Sequence, residues 1–295
     1  MRRHPVILGV CILILIGIVF FALTYALTIV RLDTTAFSDK QRVGVVRIDG
    51  VIADSEEIIE QIEEFTNDEA IRAVVIRINS PGGGVAPSQE IYQAVCELRK
   101  KKKIVASMGS VAASGGYLIA TAADRIVANP GSITGSISAV MHFADIQELM
   151  RKVGVRTSVI KSGKFKDIGS PAREMTFEEK RLLKGIVDDI YDQIIRTISE
   201  NRRISLESVK AFSDGRIFSG RQALNLKLVD QLGGLQDAVL LAGKLAGIEK
   251  KPDVVYAIKK KSSFLKYLLE SVTSVIVTEI QRRSAELTGA QYLLH

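Results

Sequence analysis

The chain opens on an apolar run with no charged residue from Pro5 to Val30. A helix of that length reaches about 39 Å, more than the ~30 Å hydrocarbon core of a bilayer. A cleavable signal peptide is the rival reading, because Arg2 and Arg3 form a positive leader. The run exceeds the ~7–15 residues of an ordinary signal-peptide core, and apolar residues continue past the Ala22 to Ala26 region. The pattern therefore predicts a retained transmembrane anchor within residues 1–30. Arg2 and Arg3 favour a cytoplasmic N-terminus, which places the remaining chain at the outer face of a plasma membrane.

A polar connector, 31–42, leads into alternating strand and helix patterns. Strands are predicted at Val43 to Asp49, Ala73 to Asn79, Ile104 to Met108, Arg125 to Ala128 and Arg156 to Ile160. Helices are predicted from Ser55 to Phe65 (opened by Asp54), Ser88 to about Lys101, Ala112 to Ala122 and Ile146 to Val153. A long helix should run from Thr176 toward Asn201, because Thr176 and Glu179 form a capping box that satisfies two free backbone N–H groups. Leu235 to Ala246 follows the Gly233-Gly234 turn as a closing helix. Strands alternating with helices predict an α/β fold with largely parallel pairing. No Pro- or Ser-rich linker divides the middle of the chain, so 43–247 is expected to be one domain. The remainder, 248–295, reads as a partly helical extension, with an amphipathic stretch from Phe264 to Leu294.

Composition narrows the function. The net charge is +7, with basic runs at Arg99 to Lys103 and Lys259 to Lys261. These read as solvated helix ends or loops, and no interleaved aromatics point to nucleic acid. Two cysteines, Cys11 and Cys96, build no disulfide framework, and the three histidines are too scattered for a zinc site. No metal or cofactor is expected.

Two glycine-rich segments carry candidate chemistry. In Ser110-Val-Ala-Ala-Ser114-Gly115-Gly116-Tyr117, a serine at a helix start precedes two glycines, so its hydroxyl is reachable and Gly115 offers an unobstructed N–H. A small-residue helix packed on a sheet would look the same. Asn79-Ser-Pro-Gly82-Gly83-Gly84 follows a strand and precedes a helix. It lacks the Gly-Lys-Ser/Thr ending of a P-loop and the spacing of a dinucleotide fingerprint. Its N–H groups suit a second oxyanion donor or the backbone of an extended peptide.

A serine nucleophile needs a base. His142 with Asp145 is one arrangement, although His142 in its apolar stretch reads as a structural histidine. The run Lys161-Ser-Gly-Lys164-Phe-Lys166-Asp-Ile is the other. A lysine serves only when neutral, which burial or nearby positive charge favours. The residues alone leave the choice open, and a solvated basic loop remains a third reading.

The motifs NSPGGG, GSVAASGGY, NPGSITGSI, KSGKFKDIGSPAREMT and GRIFSGRQALNLKLVDQLGG occur in that order between about Val43 and Ala246. Together they resemble the short bacterial signal peptide peptidase A family. The resemblance implies a ClpP/crotonase-like fold of repeated β-β-α units, a Ser–Lys dyad and a membrane-anchored homo-oligomer. It assigns Ser114 as nucleophile and Lys166, the lysine preceding Asp-Ile, as general base. It also assigns Gly83 and Gly115 as oxyanion donors and Ser136 as the residue orienting the lysine amine. One departure is Lys227, where a glycine is expected before Leu-Val-Asp.

The implied function is a membrane-bound serine endopeptidase that degrades cleaved signal peptides or other apolar membrane-derived peptides. Other readings are a Ser–Lys membrane peptidase with one specific membrane-protein target, a catalytically silent membrane scaffold, and an acyl-CoA enzyme of the crotonase fold. The export signal argues against the last, because CoA esters are cytosolic. In the longer form of the family the fold is repeated within one chain, with lysine and serine in different repeats. Here one repeat carries both, so a ring of identical chains is expected to set Lys166 of one against Ser114 of its neighbour. The expected partners are thus peptide substrates, further copies of the chain and, through the anchor, membrane lipid.

Overall fold

A computed structural model of the protein describes residues 13–25 and 41–258. Residues 13–25 are helical (α1) and expose their apolar side chains, Leu13 and Phe21 among them. Among the described residues no helix is long and apolar enough to cross a membrane. The rest of the predicted anchor, 5–12 and 26–30, lies outside the described residues, as does the predicted tail helix.

The domain is a mixed α/β structure around one sheet. Its central strands are Arg42–Asp49 (β1), Ile71–Ser80 (β2) and Lys103–Ala113 (β3), separated by helices Glu56–Asn67 (α2) and Val85–Lys101 (α3). Gly115–Thr121 (α4), Arg125–Ala128 (β4), Ile133–Gly135 (β5), Gln147–Lys152 (α5) and Phe177–Arg202 (α6) follow. The chain continues through Leu206–Phe212 (α7), Ile217–Ser219 (β6), Gly220–Asn225 (α8), Gln231–Leu232 (β7), Leu235–Leu245 (α9) and Asp253–Tyr256 (β8). The sheet order is β6-β5-β3-β2-β1-β8, with β4 on β3 and β7 on β4. Every pairing is parallel except β5 with β6. β8, which follows Gly247, supplies the edge beside β1.

Strands β1 to β3 are covered on both faces, which explains their near-continuous apolar sequences. Val43, Val45, Ala73, Val75 and Val105 face Ala238, Val239 and Ala242 of α9. The alternate residues, among them Val46, Ile76, Ile78 and Met108, join Ile62, Phe65, Ile91 and Leu98 of α2 and α3 in the larger core. The Thr176–Glu179 capping box forms at the start of α6. Ser55, rather than Asp54, precedes α2, and its hydroxyl donates to the Glu90 carboxylate instead of capping the helix.

Three elements differ from the sequence expectation. β3 continues past Met108 to Ala113, because its second half finds a new neighbour: Val105 to Met108 pair with β4, and Val111 to Ala113 pair with β5. The following helix accordingly starts after Ser114 rather than at Ala112. Arg156 to Ile160 form no strand; the segment is exposed and pairs with no other described strand.

Candidate active site

The first half of the site comes from the end of β3. Ser114 has φ 54° and ψ −120°. Such a backbone is disfavoured for a residue with a Cβ and costs about 1–3 kcal/mol, so neighbours must impose it. The Ser114 N–H donates to the Gly135 carbonyl at 2.9 Å, and the Ser114 carbonyl accepts from the Leu118 N–H at 3.0 Å. Gly82 closes on the same turn: a Cβ there would lie 2.8 Å from Ser114 Cβ and 2.9 Å from Gly115 N. A strained serine between a strand and a helix is the arrangement found in serine-hydrolase nucleophile turns, and Ser114 is half-buried.

The loop after β2 is fixed to this turn by several independent contacts. Asn79 Oδ1 accepts from Ser110 N at 3.1 Å and from Val111 N at 3.3 Å, which bridges the break in register between β2 and β3. Gly82 O accepts from Ile52 N at 3.0 Å, and Gly84 N donates to Ile52 O at 2.8 Å. That parallel bridge uses the groups on either side of Gly83 and leaves the Gly83 N–H on the far side from Ile52. A Cβ on Gly83 would fall 2.2 Å from Ile52 O, and one on Gly115 would fall 2.2 Å from Ser88 Oγ. Both positions exclude a side chain by packing alone.

β5 brings in the third segment. Thr134 Oγ1 donates to Ala112 O at 2.6 Å, and Ser132 Oγ donates to Gly109 O at 2.5 Å. Ser136, next to the acceptor Gly135, has φ 49° and donates its N–H to Arg216 O at 2.8 Å. The segments bearing Ser114, Gly115, Gly83 and Ser136 therefore meet at one end of the sheet.

Lys166 comes from elsewhere, a series of turns between α5 and α6. It is exposed, and its own N–H donates to Gly163 O at 3.2 Å. Lys161 pairs with Asp167 at 2.5 Å and Lys164 pairs with Glu178. Among the described residues Lys166 is the lysine of the three with no ion pair, and no hydrogen bond joins it to Ser114 or Ser136.

A dense charge cluster follows. Arg173 Nε and Nη2 each donate to the Asp167 carboxylate at 2.9 Å, while Nη1 and Nη2 donate to Glu179 at 2.9 and 2.5 Å. Glu179, 2% exposed, also accepts from Thr176 N at 2.9 Å. The hydrogen bonds of Arg173, then of Lys161, hold the Asp167 carboxyl well below the usual carboxylate range. Arg173, then the Thr176 N–H, lowers the Glu179 carboxyl to about 2. The two carboxylates in turn raise the Arg173 guanidinium above its ordinary value, Glu179 foremost.

His142 is exposed rather than a buried structural histidine, because its Met-His-Phe segment packs against no core. Among the described residues it has no hydrogen bond to Ser114 or Asp145; Asp145 accepts from Gln147 N at 3.0 Å. No group of described residues has the composition to hold a metal ion. Asn79, Gly82 and Arg173 were not legible as site residues. Asn79 and Gly82 sat in a recognised motif, whereas Arg173 offered only a charge in a loop.

Residues 97–249 match the model of peptidase family S49, and residues 41–134 match that of Clp protease. A Synechocystis sp. protein named as a protease is 42% identical over 74% of this chain and 78% of its own length. A Methanocaldococcus jannaschii protein, also named as a protease, is 36% identical over 70% of this chain and 67% of its own. An Enterococcus faecium protein named as a signal peptide peptidase SppA is 32% identical over 68% and 63%. The fold, the strained serine and these matches define a serine peptidase. The chain belongs to peptidase family S49 and is of the SppA type.

Proposed function

We propose that the chain is a membrane-bound endopeptidase that degrades signal peptides and other apolar membrane-derived peptides through a Ser114–Lys166 dyad. The observation that carries the reading is the backbone of Ser114, held at φ 54° by Gly135 and Gly82 with no other evident use for its strain. Neutral Lys166 accepts the Ser114 Oγ proton as the oxygen attacks the scissile carbonyl. The N–H groups of Gly83 and Gly115 stabilise the oxyanion, an effect of about 3–4 kcal/mol per donor in serine peptidases. The lysine ammonium returns its proton to the leaving amine. It then activates water against the acyl-enzyme, with Ser136 orienting the amine.

The fold is read as a ClpP/crotonase-like spiral of β-β-α units, on the strength of the Clp protease match and the parallel β1-β2-β3 core. The uncharged run from Pro5 to Val30 supports a single-pass anchor with the peptidase domain outside the cytoplasm. A dyad shared between neighbours in a ring is supported by the separate origin of the Lys166 turns and by the apolar arm before them. In one chain that arm leaves Val140 70% and Val153 65% exposed. No nucleic acid, metal or cofactor enters the reaction.

The test uses full-length protein in detergent, a fluorophosphonate probe and a synthetic peptide with a signal-sequence core. Ser114→Ala is expected to lose labelling and cleavage, and Lys166→Met to lose cleavage, while His142→Ala keeps both. Cleavage by a folded Lys166→Met variant would overturn the dyad.

A further inference from the structure

The residue after the proposed base is an acid. A carboxylate beside an amine favours the ammonium form, and an unpaired one within about 4–6 Å commonly shifts the titration by 1–3 units. Asp167 follows Lys166 directly in the chain, and its carboxylate oxygens are taken up by other cations. Arg173 grips both oxygens at 2.9 Å, Lys161 adds an ion pair at 2.5 Å, and Arg173 Nη2 also donates to the Asp167 carbonyl at 3.1 Å. The guanidinium is itself fixed by Glu179, which the capping box ties to the first turn of α6.

We propose that Arg173 is a positioning residue for the peptidase reaction: it holds the Asp167 carboxylate away from Lys166, so that the lysine can shed its proton, and it ties the Lys166 turns to α6. This rests on Lys166 being the base. The charged groups around the turns divide accordingly. Asp167 is matched by Arg173 and Lys161, Glu178 by Lys164, and Glu179 by Arg173. Glu174 faces Lys180 at 3.8 Å. The acids of these turns and of the start of α6 are thereby committed to cations other than Lys166. The low acid range of Asp167 agrees with that commitment.

The experiment compares pH–rate profiles of full-length wild type, Arg173→Gln, Arg173→Lys, Asp167→Asn and the Asp167→Asn/Arg173→Gln pair on one peptide. Loss of Arg173 leaves Asp167 with Lys161 alone, so the rising limb should move upward, by about one pH unit. The rate on the acidic side would then fall about tenfold, while the high-pH plateau is retained. Arg173→Lys should shift the limb by less. Asp167→Asn in the Arg173→Gln background should move the limb back, which a merely structural arginine would not produce. If Arg173→Gln does not fold, Lys161→Gln should shift the limb in the same direction through the other cation on Asp167. An unmoved limb in folded Arg173→Gln, or in that Lys161→Gln substitute, overturns the proposal, as does a double variant that stays shifted. Full activity of Lys166→Met would instead overturn the dyad, so the two failures are separable.

Discussion

The backbone N–H of Ser114 donates to the carbonyl of Gly135 at 2.9 Å, and the residue after that carbonyl, Ser136, shares the left-handed φ of Ser114, 49° against 54°. The two turns are mutually dependent: the strained serine is held by a glycine that is itself at φ 86°. A Cβ on Gly135 would sit 2.7 Å from Phe218 Cδ2 and 2.9 Å from Arg216 O. Gly135→Ala therefore combines backbone strain with a clash against main chain. It is expected to cost about 2–4 kcal/mol. Ser114 labelling by a fluorophosphonate should fall further than folding explains. Thermal melts together with labelling rates check this; a stable variant labelled at the normal rate would show that Gly135 does not set the Ser114 turn.

Lys227 stands where the family resemblance implies a glycine. The turn forms nonetheless, with Lys227 at φ 61°. Its carbonyl accepts from Arg202 Nε at 3.1 Å and Nη2 at 2.8 Å, and Arg202 also pairs with Asp230 at 2.9 Å. Those bonds hold the lysine in a conformation that glycine adopts without steric cost. Lys227→Gly should thus stabilise the domain by about 0.5–1 kcal/mol, or roughly 1–4 °C in Tm. An unchanged or lower Tm would mean that the added chain entropy of glycine outweighs the strain relieved.

What could be read from the sequence divides along physical lines. β1, β2 and α6 were legible because burial on both faces gives unbroken apolar strands and because a capping box marks a helix start with side chains. β5, β6 and β7 were not: they are three residues or fewer, and long-range pairing creates them. The second half of β3 was lost for a related reason, since Val111 to Ala113 are small apolar residues that suit a helix equally well. In the site, the glycine segments announced themselves by composition, and Ser114 by its place between a strand and two glycines. The strain at Ser114 could not be seen, because it depends on Gly82 and Gly135 arriving from other elements. The Arg173 cluster was hidden for the opposite reason. Its partners are close in sequence, but irregular turns have no period from which to infer which charges meet.

Acid should reveal that cluster. The Glu179 carboxyl titrates at about 2 in the folded chain, chiefly through its bonds to Arg173. An unfolded glutamate titrates near 4.3. A depressed folded value gives stability that is complete above about pH 4.5 and is lost as pH falls toward 2. Asp167 shifts in the same direction and adds to it. Pulsed hydrogen exchange followed by mass spectrometry should find the backbone of 163–180 protected down to about pH 3, with protection lost near pH 2. Arg173→Gln should move that loss upward toward pH 4. If wild type already loses protection at pH 4–5, the cluster does not stabilise the turns.

In the proposed dyad, Lys166 could serve Ser114 of its own chain or of a neighbour. The serine is fixed by β3, β5 and the loop after β2, whereas the lysine hangs on exposed turns anchored to α6 through Arg173. No hydrogen bond joins the two residues among the described part of one chain. A base must nevertheless approach within about 3 Å of the serine oxygen. The arm that leads to the turns exposes the apolar side chains of Val140, Leu149, Val153 and Ile160, which a neighbouring copy in the proposed ring would have available for contact. Head-to-tail contacts of that kind close into rings when the rotation allows. Ser114→Ala and Lys166→Met chains, each inactive alone, should recover activity when co-assembled, because some interfaces then join an intact serine to an intact lysine. At equal input with random mixing, about a quarter of the sites would be intact, and the recovered rate should approach a quarter of wild type. Differential tags verify that mixed assemblies form. Mixed assemblies that remain inactive at every ratio would place both residues of the dyad in one chain.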